Sequence, residues 1–284
     1  MNKDLIEWYC ELPKNINNVK NFCEMLPFCN LIDPTFKIEQ DGINNILNTL
    51  LNDKTILITT KSNRCNISHN NILYINHSQK EIPIKDNQNI IFYLQGVNSN
   101  TGEIIHQKYF EYIKSKFQNS KIVLDDTDGM FIVPRDYSIF DYVVCNCNNL
   151  IDENEWLIIN TTDHSNENDK CIMNKISKTL SNDKKLIYFK NTMKSLLSEY
   201  LYHNSFYYTY FDSVNHMLCI RLNTNNIIED KLPKDFELVH DNNTSWIILN
   251  AMKMLKYDKF EFEEILKEFI KFLEYYNTIN QFDF

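Results

Sequence analysis

The sequence predicts an α/β protein: a mainly parallel sheet sandwiched by helices, with a smaller C-terminal α+β domain. Three observations carry this. Apolar runs of strand length recur from residue 55 to residue 160 with little polar alternation, the pattern of strands covered on both faces. A helical repeat separates strands within that region, which implies parallel pairing through right-handed crossovers. After residue 184 the order changes to a helix, two strand-like runs and a long amphipathic helix.

Residues 1–35 carry Trp8, Tyr9, Phe22, Met25, Leu26 and Phe28 at loosely helical spacing and stop near Pro34, so they are expected to form an N-terminal arm. The large domain is expected over 36–184. It opens with a helix at 42–51, where Ile43, Ile46, Leu47, Leu50 and Leu51 share a face. Strands follow at 55–60, 71–76 and 89–95. A helix at 103–117 then sets Ile105, Tyr109, Tyr112, Ile113 and Phe117 in register, and strands resume at 121–125, 141–146 and 156–160. The polar stretch 161–183 is expected to be irregular.

The small domain, 185–284, begins with a helix at 191–202 built on Met193, Leu196, Leu197, Tyr200 and Leu201. The aromatic run at 206–211 suits core and sheet edge. Strands are expected at 217–222 and 245–249. The last helix, 259–276, carries Phe260, Phe262, Ile265, Leu266, Phe269, Ile270 and Leu273.

Composition narrows the function classes. A chain of 284 residues with 43% hydrophobic and 24% charged residues is an ordinary globule that buries a substantial core. A net charge of −9 without a dense basic stretch argues against nucleic-acid binding. No apolar run approaches the roughly 20 residues that span a bilayer, and the start lacks the apolar core of a signal peptide. A cytoplasmic protein with no membrane association is expected. The four glycines leave few tight turns, so Asn and Asp are expected to fill some left-handed positions. None of the eight cysteines forms a Cys-x-x-Cys pair. Cys145 and Cys147 would share a strand face, a spacing that could hold a soft metal, and read in preference as buried free thiols of a reducing compartment.

Asp125 and Asp126 end the apolar run Ile122-Val123-Leu124 and lead through Thr127-Asp128 to Gly129. Upstream, a hydrophobic strand runs into Ser99-Asn100-Thr101-Gly102 and a helix. Downstream, Asp141 opens Tyr142-Val143-Val144-Cys145-Asn146-Cys147-Asn148-Asn149, and Trp156-Leu157-Ile158-Ile159 follows. In order and spacing this resembles the large domain of fold-type I pyridoxal-phosphate (PLP) proteins, the aminotransferase and cysteine desulfurase superfamily.

The resemblance implies roles. Asp125 would face the pyridine nitrogen, where a carboxylate makes the ring a better electron sink. Ser99 would replace the asparagine that contacts the ring hydroxyl, and Asp128 would lie close by. Gly42 would open the helix whose N-terminus receives the phosphate, although Glu39 and Asp41 place two acids there. Arg64 would stand where the family stacks an aromatic or His on the ring. The last small-domain strand lacks the arginine that holds a substrate carboxylate. Arg221 is the substitute on offer, with an ordinary ion-pair residue as its other reading.

Asn149 falls at the Schiff-base lysine. An amide neither forms the internal aldimine nor moves an α-proton near neutral pH. The resemblance therefore implies a degenerate, aminotransferase-like pseudoenzyme without catalytic residues. No cofactor is expected, and the protein would act as a binding or assembly partner. The family dimerises, so a homodimer, or a heterodimer with a related protein, is implied. Two alternatives stay open: an enzyme that binds PLP or a PLP adduct noncovalently, and a metal-dependent α/β enzyme using Asp125, Asp126 and Asp128 with Mg²⁺. His106, His164, His203 and His240 share no metal-ligand spacing, and no nucleophile elbow, Walker loop or His-Glu-x-x-His helix occurs.

Overall fold

A computed structural model of the chain describes residues 36–61, 67–76, 79, 81–84, 89–99, 102–130, 133, 135–148, 155–159, 167–180, 183–203, 207–209, 217–222, 232–233, 235–241, 244–250, 253–254 and 257–280. The N-terminal arm expected over 1–35 lies outside them. The chain divides into two compact units, with the main break between Ser181 and Asn182.

The first unit is built on a seven-stranded sheet. Its strands are β1 (Phe36–Glu39), β2 (Thr55–Thr60), β3 (Ile72–Ile75), β4 (Asn89–Gln95), β5 (Lys121–Asp125), β6 (Tyr142–Asn146) and β7 (Trp156–Ile159), in the spatial order β1-β7-β6-β5-β4-β2-β3. The run β3-β2-β4-β5-β6 is parallel, whereas β7 is antiparallel to both β6 and β1. The C-terminal ends of β2, β4, β5 and β6 therefore share one edge, and the register sets Gln95 opposite Asp125.

Burial explains why these residues form strands. Every residue of β7, and every residue of β4 and β5 after the first, is buried, as expected where both sheet faces are covered. On one face lies helix α1 (Gly42–Leu50), whose Ile43, Ile46 and Leu47 join Leu57, Ile91, Tyr93, Val123, Val144, Trp156 and Ile158 in the core. Strand alternation puts Phe92 on the opposite face from Tyr93. There Phe92 meets Phe117, at 5.4 Å between ring centres, just past helix α2 (Gln107–Lys116). Phe110 of α2 packs edge-on against Phe140 at 5.1 Å.

The polar stretch expected to be irregular instead contains helix α3 (Glu167–Leu180). Ile172, Met173 and Ile176 recur at helical spacing and are all buried. Their burial outweighs the weak helix propensity of the flanking Asn, Asp, Ser and Thr.

The second unit contains helix α4 (Asp183–His203), strands β8 (Tyr207–Thr209), β9 (Met217–Leu222), β10 (Glu237–Asp241) and β11 (Thr244–Asn250), and helix α5 (Lys259–Asn280). The strands form an antiparallel sheet in the order β10-β11-β9-β8, so part of the aromatic run supplies an edge strand. Helix α4 packs on α5 through Phe189 and Phe262, stacked at 4.1 Å. A reciprocal cap starts α5: Glu261 N–H donates to Asp258 Oδ1 at 2.8 Å, and Asp258 N–H donates to Glu261 Oε2 at 2.9 Å. Among the described residues no helix is long and apolar enough to cross a membrane.

Candidate functional site

Strand β5 ends at Asp125, a second acid follows directly, and the alternation of the chain sends the two to opposite faces of the sheet. Asp125 goes to the face that carries α1. Its Oδ2 accepts from the Tyr93 hydroxyl at 3.1 Å. Its Oδ1 accepts from the Thr127 backbone N–H at 3.1 Å and from the Thr127 hydroxyl at 2.6 Å. The side chain is almost enclosed, at 2% exposure. The Thr127 hydroxyl oxygen in turn accepts from the Asn146 N–H at 2.9 Å, which ties the end of β6 to the turn after β5.

Asp126 enters a closed cluster on the other face. Arg135 Nε donates to its Oδ1 at 3.2 Å and the Tyr137 hydroxyl donates to its Oδ2 at 2.6 Å; all three side chains are buried. The remaining guanidinium nitrogens donate to the carbonyls of Ile105 and Gly96. The guanidinium also lies 5.5 Å from the centre of the Phe110 ring. Two glycines make room for the acid: a Cβ would stand 2.1 Å from Asp126 Oδ1 at Gly96 and 2.3 Å from it at Gly129. Burial raises the Asp126 carboxyl above the usual range, against the pull of Arg135 and of the Tyr137 hydroxyl. The Tyr137 hydroxyl is pushed well up, by burial first and then by Asp126.

The remaining predicted residues spread over both units. Ser99 is half-buried just past β4 and accepts from Gln95 Nε2 at 3.3 Å. Asp128 is buried near the turn after β5. Gly42 opens α1, but packing accounts for it: a Cβ there would come within 2.8 Å of Trp156 Cβ. Before it, Asp41 adopts a left-handed conformation (φ 54°) and its side chain makes no capping hydrogen bond. Glu39 pairs with Lys37 and accepts from Asn45 Nδ2 at 3.2 Å. Arg221 lies exposed on β9 in the second unit, in register between Trp246 and Tyr207. Arg64, His164 and Asn149 lie outside the described residues. Lys121 stands at the opposite end of β5 from Asp125.

The acid cluster offered for Mg²⁺ is not assembled. Asp125 and Asp126 serve different faces. Among the described residues no three His, Cys, Asp or Glu side chains come together to hold a metal ion. Cys145 and Cys147 are buried free thiols. Contact with the Cys147 thiol, followed by burial, pushes the Cys145 thiol well above the ordinary range. Sequence reasoning missed Tyr93, Thr127, Arg135 and Tyr137. Only the strand register reveals Tyr93. An arginine a short loop away from paired acids was the available signal for Arg135.

No protein-family model matches the sequence, and no curated protein matches it. Solved structures do match. Serine palmitoyltransferase of Sphingomonas wittichii superposes with a TM-score of 0.64 at 12% identity, over 97% of this chain and 77% of that one. A structure of SPT with its PLP internal aldimine gives 0.63 at 12% identity, over 97% and 85%. Leishmania major threonine aldolase gives 0.53 at 14% identity, over 84% and 85%. The chain has the fold of these proteins, the fold-type I PLP-dependent transferases. At such identity the likeness is one of fold.

Two features of the described residues weigh against a PLP group. The acid that would meet the pyridine nitrogen is nearly enclosed, and donors of its own chain engage both its oxygens. The start of α1 carries a carboxylate on Asp41 and another nearby on Glu39, which repel a phosphate at close range.

Proposed function

We propose that this is a degenerate, aminotransferase-like protein of the cytoplasm, without ordinary PLP catalysis, that serves as a binding or assembly partner. One observation carries the reading. Just beyond β6 the sequence reads Asn148-Asn149, where the resemblance calls for the lysine that binds the cofactor. The lone pair of an amide nitrogen is delocalised into its carbonyl. It adds to no aldehyde and takes no α-proton, so nucleophile and base are lost together. The engagement of Asp125 by Tyr93 and Thr127 supports the same reading, because the acid is committed inside its own chain. Buried free thiols at Cys145, Cys147 and Cys219 suit a reducing compartment.

A second reading, noncovalent binding of PLP or of a PLP adduct, is favoured by the placement of Asp125 at the C-terminal end of its strand. Spectroscopy separates the two. Purified protein mixed with PLP is expected to show no visible aldimine band, and borohydride is expected to fix no pyridoxyl group on any lysine. A reducible band on a single lysine would sink the proposed loss of catalysis. Saturable uptake without that band, lost in Asp125→Ala, would favour the second reading.

A further inference from the structure

We infer that Asp125 is an internal brace of the sheet edge, held by Tyr93 and Thr127, and does not serve as a ligand for a protonated ring. The inference rests on the proposed function and specifies how that site differs from a cofactor site. Three donors reach the two carboxylate oxygens, one from β4 and two from the turn after β5. The accepting side chain is 2% exposed, so little of it faces any ligand. The brace continues outward, because the Thr127 hydroxyl also accepts from the Asn146 N–H at the end of β6. One carboxylate thus links the ends of three adjacent strands, β4, β5 and β6. Charge-assisted hydrogen bonds in such burial are among the stronger ones, and losing one strands its partner. A cofactor acid needs the reverse arrangement, with an oxygen presented to the space above the sheet edge.

The test uses the whole chain and PLP itself as probe, with equilibrium dialysis and thermal melting on the wild type, Asp125→Asn, Tyr93→Phe and Thr127→Val. The wild type is expected to take up no PLP saturably and to melt at the same temperature with or without it. Each variant is expected to melt roughly 2–8 °C lower. Saturable PLP uptake by the wild type, weakened at least tenfold by Asp125→Asn at an unchanged melting temperature, would overturn the inference. Should Asp125→Asn fail to fold, the other two variants decide, since both keep the carboxylate; unchanged melting in both would also overturn it. A borohydride-fixed lysine would instead strike the proposed function, so the two failures are told apart.

Discussion

Asp126 shows how much a single side chain can hold. Its carboxylate joins Arg135 and Tyr137, and through Arg135 the carbonyls of Gly96 and Ile105, so the connections after β4 and after β5 are fastened to each other. An ion pair so buried adds little net stability against an apolar replacement of both partners. Removing one partner strands the other charge, at about 3–5 kcal/mol. Arg135→Met is expected to cost that much in urea unfolding, and Tyr137→Phe about 1–3 kcal/mol. A loss below about 1 kcal/mol for Arg135→Met would show that the pair does not hold these loops. Little of this was legible beforehand. The Asp125-Asp126 pair stands out in the sequence, but which acid turns to which face depends on where the strand ends. Arg135 and Tyr137 reach Asp126 only through loop folding, which no local periodicity encodes.

Strands buried on both faces were the most legible elements. The runs at 55–60, 89–95, 121–125 and 217–222 become strands with those same bounds, because short, largely apolar stretches of strand length leave few alternatives. Strands β1 and β10 were missed; they are four and five residues long, and their apolar positions fit several templates. Helix α3 was missed because its polar residues outnumber the buried apolar stripe of Ile172, Met173 and Ile176, which shows only once a surface exists to receive it. That stripe should then bear the helix's stability. Truncation of a wholly buried Ile at 176 to Ala is expected to cost about 2–5 kcal/mol. Cys171→Ala, on the exposed side of the same helix, should stay within about 0.5 kcal/mol. Chemical unfolding monitored by circular dichroism makes the comparison; equal effects would show that α3 is not anchored by that face.

The assembled chain has the fold of the PLP-dependent transferases, and the loss of chemistry proposed for it turns on a single position, Asn149. Fold and chemistry separate readily, since packing sets the first and a few side chains set the second. The proposed assembly role belongs to the whole molecule and predicts a particle of two subunits. Light scattering coupled to size exclusion should report about twice the 34.0 kDa chain mass, either alone or with a related protein. A monomer at all concentrations, with no change when related chains are added, would argue against that role.

The scarcity of glycine has its own consequence. Three of the four glycines stand where even a methyl group would collide with Trp156 or Asp126, and Gly102 has a φ of 69°, which other residues rarely adopt. At Asp41 a left-handed bend (φ 54°) is made without glycine. Each of the four is therefore held by steric exclusion or by backbone conformation, and together they mark where the backbone has least tolerance for replacement.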